Sequence, residues 1–343
     1  TPPTGYKKLN TFNLPDSTIT KSSDYMNNKL WTGNGTNQDI DVGWDAGLIW
    51  YRNRTDASGG VWTDIVRGDD LHFQTTNTNA EGSFGDMEFI TNGYNVAGNS
   101  NLDNQSGKAY VGWNWLAGGT GSSNTDGSIT STVSANPTAG FSVVTYTGTG
   151  STTATIGHGL SVAPKMIILK SRSASSTYWL VGHDSIGWTK GLYLNATNTA
   201  ATYTPYWNNT APTSSVFTLG NWGVDSNGSG STYVAYCFAE VEGYSKFGSY
   251  TGNGSADGPF IYTGFRPAFV IIKSATESRN WLQYDTAVNT YNQSNTQLFP
   301  NLTNAEYTSG TYAGLDILSN GFKLRNNDTS GNNSGQTMIY MAF

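Results

Sequence analysis

The side chains able to do chemistry in this sequence are few and scattered. Its three histidines, His72, His158 and His183, stand far apart, and its one cysteine is Cys237. Zinc sites recruit His and Cys at short spacing, and no such spacing occurs. A serine nucleophile of the strand–elbow type would carry Gly-x-Ser-x-Gly, which is also missing. Two carboxylate pairs, Asp86 with Glu88 and Glu240 with Glu242, are spaced i, i+2. Glycoside hydrolysis needs two opposed carboxylates, and on a strand this spacing puts both groups on one face; a solvated strand-end charge pair is the ordinary reading. No catalytic residue is therefore assigned. Hard oxygen ligands for a structural calcium exist at Asp39, Asp41 and Asp225, outside any EF-hand loop. No other cofactor is expected.

Rings are more plentiful, with 11 Trp, 20 Tyr and 14 Phe. An exposed ring can stack on the face of a sugar while neighbouring amides bond its hydroxyls. The segment Tyr203-Thr-Pro-Tyr206-Trp207-Asn208 lies in a polar stretch and offers both. Trp188 and Trp222, each beside a glycine, are the next candidates. The competing role is core filling, since aromatic side chains carry much of a β core's burial.

The elements that must position these groups are strands. Charged residues are 12% of the chain and the net charge is 18 − 24 = −6. Gly, Ser, Thr and Asn abound, while Glu, Lys, Ala and Leu, the helix formers, are scarce. Aromatic richness argues against disorder, and the acidic balance argues against nucleic-acid binding through a basic field. No apolar run reaches the ~18 residues of a membrane-spanning helix, so no membrane insertion is expected. Cys237 can form no internal disulfide and sits in an apolar run, as a buried thiol would.

Four landmarks recur three times in one order. A strand ends in Thr-Gly-x-Gly at Thr32, Thr147 and Thr251. An apolar run ending near a cation follows: Gly47–Arg54, Pro164–Arg172 and Pro267–Ser274. Then comes an aromatic strand with an Asp nearby (Asp64, Asp184, Asp285), and finally a closing strand at 110–117, 233–239 and 338–343. The expected fold is all-β: three tandem β-sandwich, jelly-roll-like modules, at 30–117, 143–242 and 243–343. Residues 1–29 read as an irregular lead-in from an upstream domain, and the Gly/Ser/Thr-rich stretch 118–142 as a linker. At about 100 residues each module can bury a core of its own, so independent beads are expected. The Thr-Gly-x-Gly glycines are expected to serve a turn.

These landmarks carry a resemblance. The lead-in Thr1-Pro-Pro-Thr-Gly-Tyr-Lys-Lys-Leu-Asn-Thr-Phe-Asn-Leu-Pro15 resembles the exit of a SPRY or concanavalin-like domain in structural proteins of marine and cyanobacterial bacteriophages. Leu48-Ile-Trp-Tyr-Arg-Asn-Arg54, Asp64-Ile-Val-Arg-Gly68 and the run from Tyr233 to Gly254 are similar to that family's repeats. The resemblance implies a virion protein, a tail fibre, appendage or capsid-decorating fibre, and no catalytic residue. On this reading its partners are other virion proteins and a host surface glycan, its location is the extracellular virion, and a homo-oligomer, a trimer by preference, covers its sheet edges. A secreted lectin or adhesin module is the alternative, and a polysaccharide depolymerase the second.

Overall fold

A computed structural model describes residues 17–83, 85, 87–309 and 314–343. The chain is all-β, and each of its three modules repeats one strand order. An opening strand pairs a closing strand, which pairs the apolar central strand, which pairs a hairpin strand. In the first module these are Met26–Thr32, Ala109–Trp115, Leu48–Asn53 and Val61–Asp64. In the second they are Phe141–Thr147, Thr232–Phe238, Met166–Ser171 and Leu180–His183, and in the third Lys246–Thr251, Thr337–Ala342, Phe269–Ser274 and Leu282–Asp285. A smaller sheet covers one face of each, built on Gln38–Asp41, Ala154–Gly157 and Phe260–Tyr262.

The central strands are buried at every position because both their faces are covered. Ile49, Ile167 and Ile272 face the small sheets, in three separate inner cores. Trp50, Ile168 and Ile271 face the other way, into one core shared by all three modules. That shared core has a pseudo-threefold axis. Trp115, Phe238 and Phe343 occupy equivalent positions, with ring centroids 5.8–6.1 Å apart around it. The modules are thus not independent beads, although each keeps an inner core of its own. Each buries one sheet face against the other two.

Backbone pairing closes the ring. The amide of Glu81 donates to the Arg172 carbonyl at 2.9 Å, Ala200 to Ala275 at 2.8 Å and Glu306 to Arg54 at 2.9 Å. The three acceptors directly follow the three central strands, so first joins second, second joins third, and third joins first. Three buried cations follow the same rule. Arg52 donates to the carbonyls of Phe299, Leu302 and Asn304, Lys170 to Thr78 at 3.3 Å, and Lys273 to Thr197 at 3.2 Å. Each reaches a loop of the preceding module. Hairpin ends supply a third set, toward the following module. Asp64 accepts from the Tyr236 hydroxyl at 2.8 Å, Asp285 accepts from the Trp113 indole at 3.3 Å, and His183 Nε2 donates to the Tyr340 carbonyl at 3.1 Å. In strand register the partner of Asp64 and Asp285 is His183, not the adjacent Asp184.

The Thr-Gly-x-Gly turns have a steric cause. A Cβ on Gly33, Gly148 or Gly252 would stand 2.2–2.4 Å from a backbone carbonyl oxygen. The second glycine takes φ of +73, +74 and +66° at Gly35, Gly150 and Gly254, where Cβ is disfavoured. A fully buried asparagine latches each turn: Asn104, Asn227 and Asn332 accept the second glycine's amide on their carbonyl at 2.8 Å.

Two boundaries differ from the expectation. Residues 118–142 are not a linker: Ser122–Asn124 and Ser131–Asn136 are strands that extend the second module's large sheet beyond Phe141–Thr147. Their small polar side chains hide them, since one face meets solvent. The lead-in also ends sooner, because the opening strand starts at Met26. Residues 1–16, with the proline-bearing motif, lie outside the described residues.

Candidate functional site

The histidines, Glu240, Asp39, Asp41 and Asp225 are occupied by structural duties. Burial lowers the His183 pKa to about 4; its Nδ1 accepts from the Ser185 amide at 3.1 Å. His158 accepts the Leu160 amide on Nδ1 and contacts the Thr213 carbonyl through Nε2. His72 lies 3.4 Å from the Asp70 carbonyl. Glu240 is paired with Lys246 at 2.6 Å and Glu242 is exposed. Asp86 lies outside the described residues, so the pair it would make with Glu88 is not formed from described groups. Asp39 accepts from the Asn95 amide group at 2.6 Å, and Asp41 from the Gly43 backbone at 2.7 Å. Asp225 stands in a different module, where it accepts the Tyr178 amide at 2.9 Å. The three calcium candidates are therefore not brought together. Among the described residues no group of three or more His, Cys, Asp or Glu is placed to hold a metal ion.

The ring candidates divide. Trp188, Trp207 and Tyr206 are buried in the second module's inner core, so their faces are spent on packing. Two glycines on neighbouring strands seat them. A Cβ on Gly182 would meet Trp188 at 2.5 Å and Trp207 at 2.7 Å, and one on Gly191 would meet Tyr206 at 2.7 Å. Trp188 and Trp207 cross edge to face at 5.3 Å. Asn208 turns away to donate to the Thr153 hydroxyl.

Tyr203 and Trp222 join a surface cluster instead, with two rings that read in sequence as ordinary strand residues, Tyr178 and Tyr193. Tyr178 and Tyr203 are 39% and 44% exposed, and Tyr193 and Trp222 are half-buried. Tyr178, Tyr193 and Trp222 lie nearly parallel, 5–16° apart, with centroids 4.3–6.3 Å apart. Tyr203 stands edge-on to Trp222 at 6.2 Å. Buried Tyr206 supports the group, its hydroxyl 2.5 Å from that of Tyr193. Asp225 borders it, and burial pushes its carboxyl above the usual range.

The other two modules act as an internal control. Shared features build the fold, whereas a surface feature of one module is not required by it. Register puts Gly59 and Gln74 in the first module, and Asn280 and Phe299 in the third, where the second has Tyr178 and Tyr193. Five residues before the latch asparagine, where the second has Trp222, stand Asn99 and Asn327. Among the described residues the platform of parallel rings belongs to the second module alone. Tyr178 and Tyr203 leave ring surface exposed beside the Asp225 carboxylate, an arrangement able to take the C–H face of a sugar and bond its hydroxyls.

Residues 21–343 match the model of a family described as a domain of unknown function (DUF7483). No curated protein and no solved structure matches the chain.

Proposed function

The chain belongs to the DUF7483 family, and from its geometry we propose that it is a non-catalytic structural and adhesive unit that binds saccharide on the second module's aromatic platform. The observation that carries this reading is the cluster of Tyr178, Tyr193, Tyr203 and Trp222, which has no counterpart among the described residues of the other modules. A closed ring with a shared core suits a part that must persist on the outside of an assembly. The sequence resemblance extends the proposal to a bacteriophage virion part, an appendage that meets a host surface glycan. The seams expected between three copies of a trimer have counterparts here within one chain, so the proposal needs no second copy for stability. Weak contacts from several copies on one particle would add by multivalency.

A glycan array followed by titration calorimetry on the best ligand tests the reading. The double variant Tyr178→Ala/Trp222→Ala should weaken binding at least tenfold with little change in melting temperature. Absence of any glycan signal, or unchanged binding by the double variant, overturns it. Release of reducing ends from a bound polysaccharide would favour the depolymerase alternative.

A further inference from the structure

The same comparison between modules isolates a second surface. In the three small sheets Ile40, Ile156 and Ile261 are equivalent, each paired to a buried aromatic residue: Tyr94, Phe217 and Phe322. Their neighbours on the outer face are Asp39 and Asp41 in the first module, and Thr155 and Gly157 in the second. In the third they are Phe260 and Tyr262, 45% and 63% exposed. The pair leaves much of its ring surface to solvent.

Tyr262 also walls a cleft of about 490 Å³, together with Thr263, Glu240, Glu242 and Lys246. That is within the ~300–1,000 Å³ range of small-ligand sites. Two carboxylates face one ammonium there, and Lys246 is committed to Glu240 at 2.6 Å. Glu242 is exposed and forms no ion pair among the described residues, which leaves one uncompensated negative charge. An aromatic face beside a free carboxylate attracts a cation twice, through the ring quadrupole and through charge. The hydroxyl of exposed Tyr262 on the same wall suits a ligand rich in hydroxyls.

We propose that this cleft between the second and third modules binds an amino sugar, with the protonated amine at Glu242 and the sugar's C–H face on Tyr262. The site is separate from the aromatic platform and does not depend on it. Titration of the full chain at pH 6 with a glucosamine tetramer and with its N-acetylated counterpart tests the proposal. The charged tetramer should bind at least tenfold tighter. Glu242→Gln and Tyr262→Ala should each cut that affinity at least tenfold with melting temperature unchanged, while Tyr178→Ala/Trp222→Ala should leave it intact. Equal affinity for the two tetramers overturns it, as does full affinity in Glu242→Gln. An equal loss in Glu88→Gln, an exposed carboxylate in the first module, would mean attraction to an acidic surface and would also overturn it.

Discussion

At the scale of single residues, the three seam cations matter most for energetics. Lys170 and Lys273 are fully buried and bond neutral oxygens. Burial therefore disfavours their charged form and lowers their pKa, to about 8 for Lys170 and about 7 for Lys273. An unfolded chain holds those protons up to the ordinary lysine range, so between pH 7 and 10 the unfolded state binds more protons. Stability should rise with pH across that window, and fall again as pH drops through 10 toward 7. The limiting slope is about 1.4 kcal/mol per pH unit for each lysine. Lys273→Met should flatten its share of the rise; urea midpoints at pH 7 and 9.5 for both proteins measure it, and parallel curves would refute it. Asp285 acts in the opposite sense. Burial raises its carboxyl to about 6, so its contribution declines as pH rises from about 4 to 6. In sequence these lysines read only as cations at the end of an apolar run, because the cover comes from the neighbouring module.

At the scale of elements, the asparagine latch fixes the turn that opens each module. The Asn332 side-chain amide donates to Asn253 Oδ1 and to the carbonyls of Ser255 and Asn326, and its Oδ1 accepts the Asn253 amide. Asn332→Ala deletes these bonds and leaves the buried Asn326 carbonyl without this partner; it should cost about 1–3 kcal/mol, measured by urea denaturation, and a loss under 0.5 kcal/mol would show the turn holds without it. The glycines of this turn were legible in the sequence, because a positive φ restricts residue choice. The succession of strands along the chain was legible too, since apolar runs and turn residues alternate three times; their pairing order was not. Ser122–Asn124 and Ser131–Asn136 were not, since strands made of Ser, Thr and Asn resemble a linker. Nor was the aromatic platform. Trp188 and Trp207 stand in polar stretches yet fill gaps above Gly182, whereas Tyr178 and Tyr193 stand by apolar strands yet reach the surface. Ring placement here depends on glycines one strand away, which local sequence does not reveal.

At the scale of the molecule, an apolar strand reads alike whether its second face meets a sheet of its own module or a neighbour's. That is why individual cores were legible and the shared core was not. The shared core predicts that the three modules unfold together. Calorimetry should give one transition with van't Hoff and calorimetric enthalpies in agreement; three resolved transitions would contradict it. Phe343→Ala, at the pseudo-threefold axis, should cost about 3–5 kcal/mol and lower the midpoint of the whole chain rather than of its last module. Ring closure also has a consequence for synthesis. Arg52 finds its acceptor carbonyl at Leu302 some 250 residues later, a delay of roughly 10–50 s at ribosomal speed. Through that interval Trp50, Trp62 and Trp113 lack their final cover, so the nascent chain presents a greasy tryptophan face to the cell, where a chaperone would find its foothold.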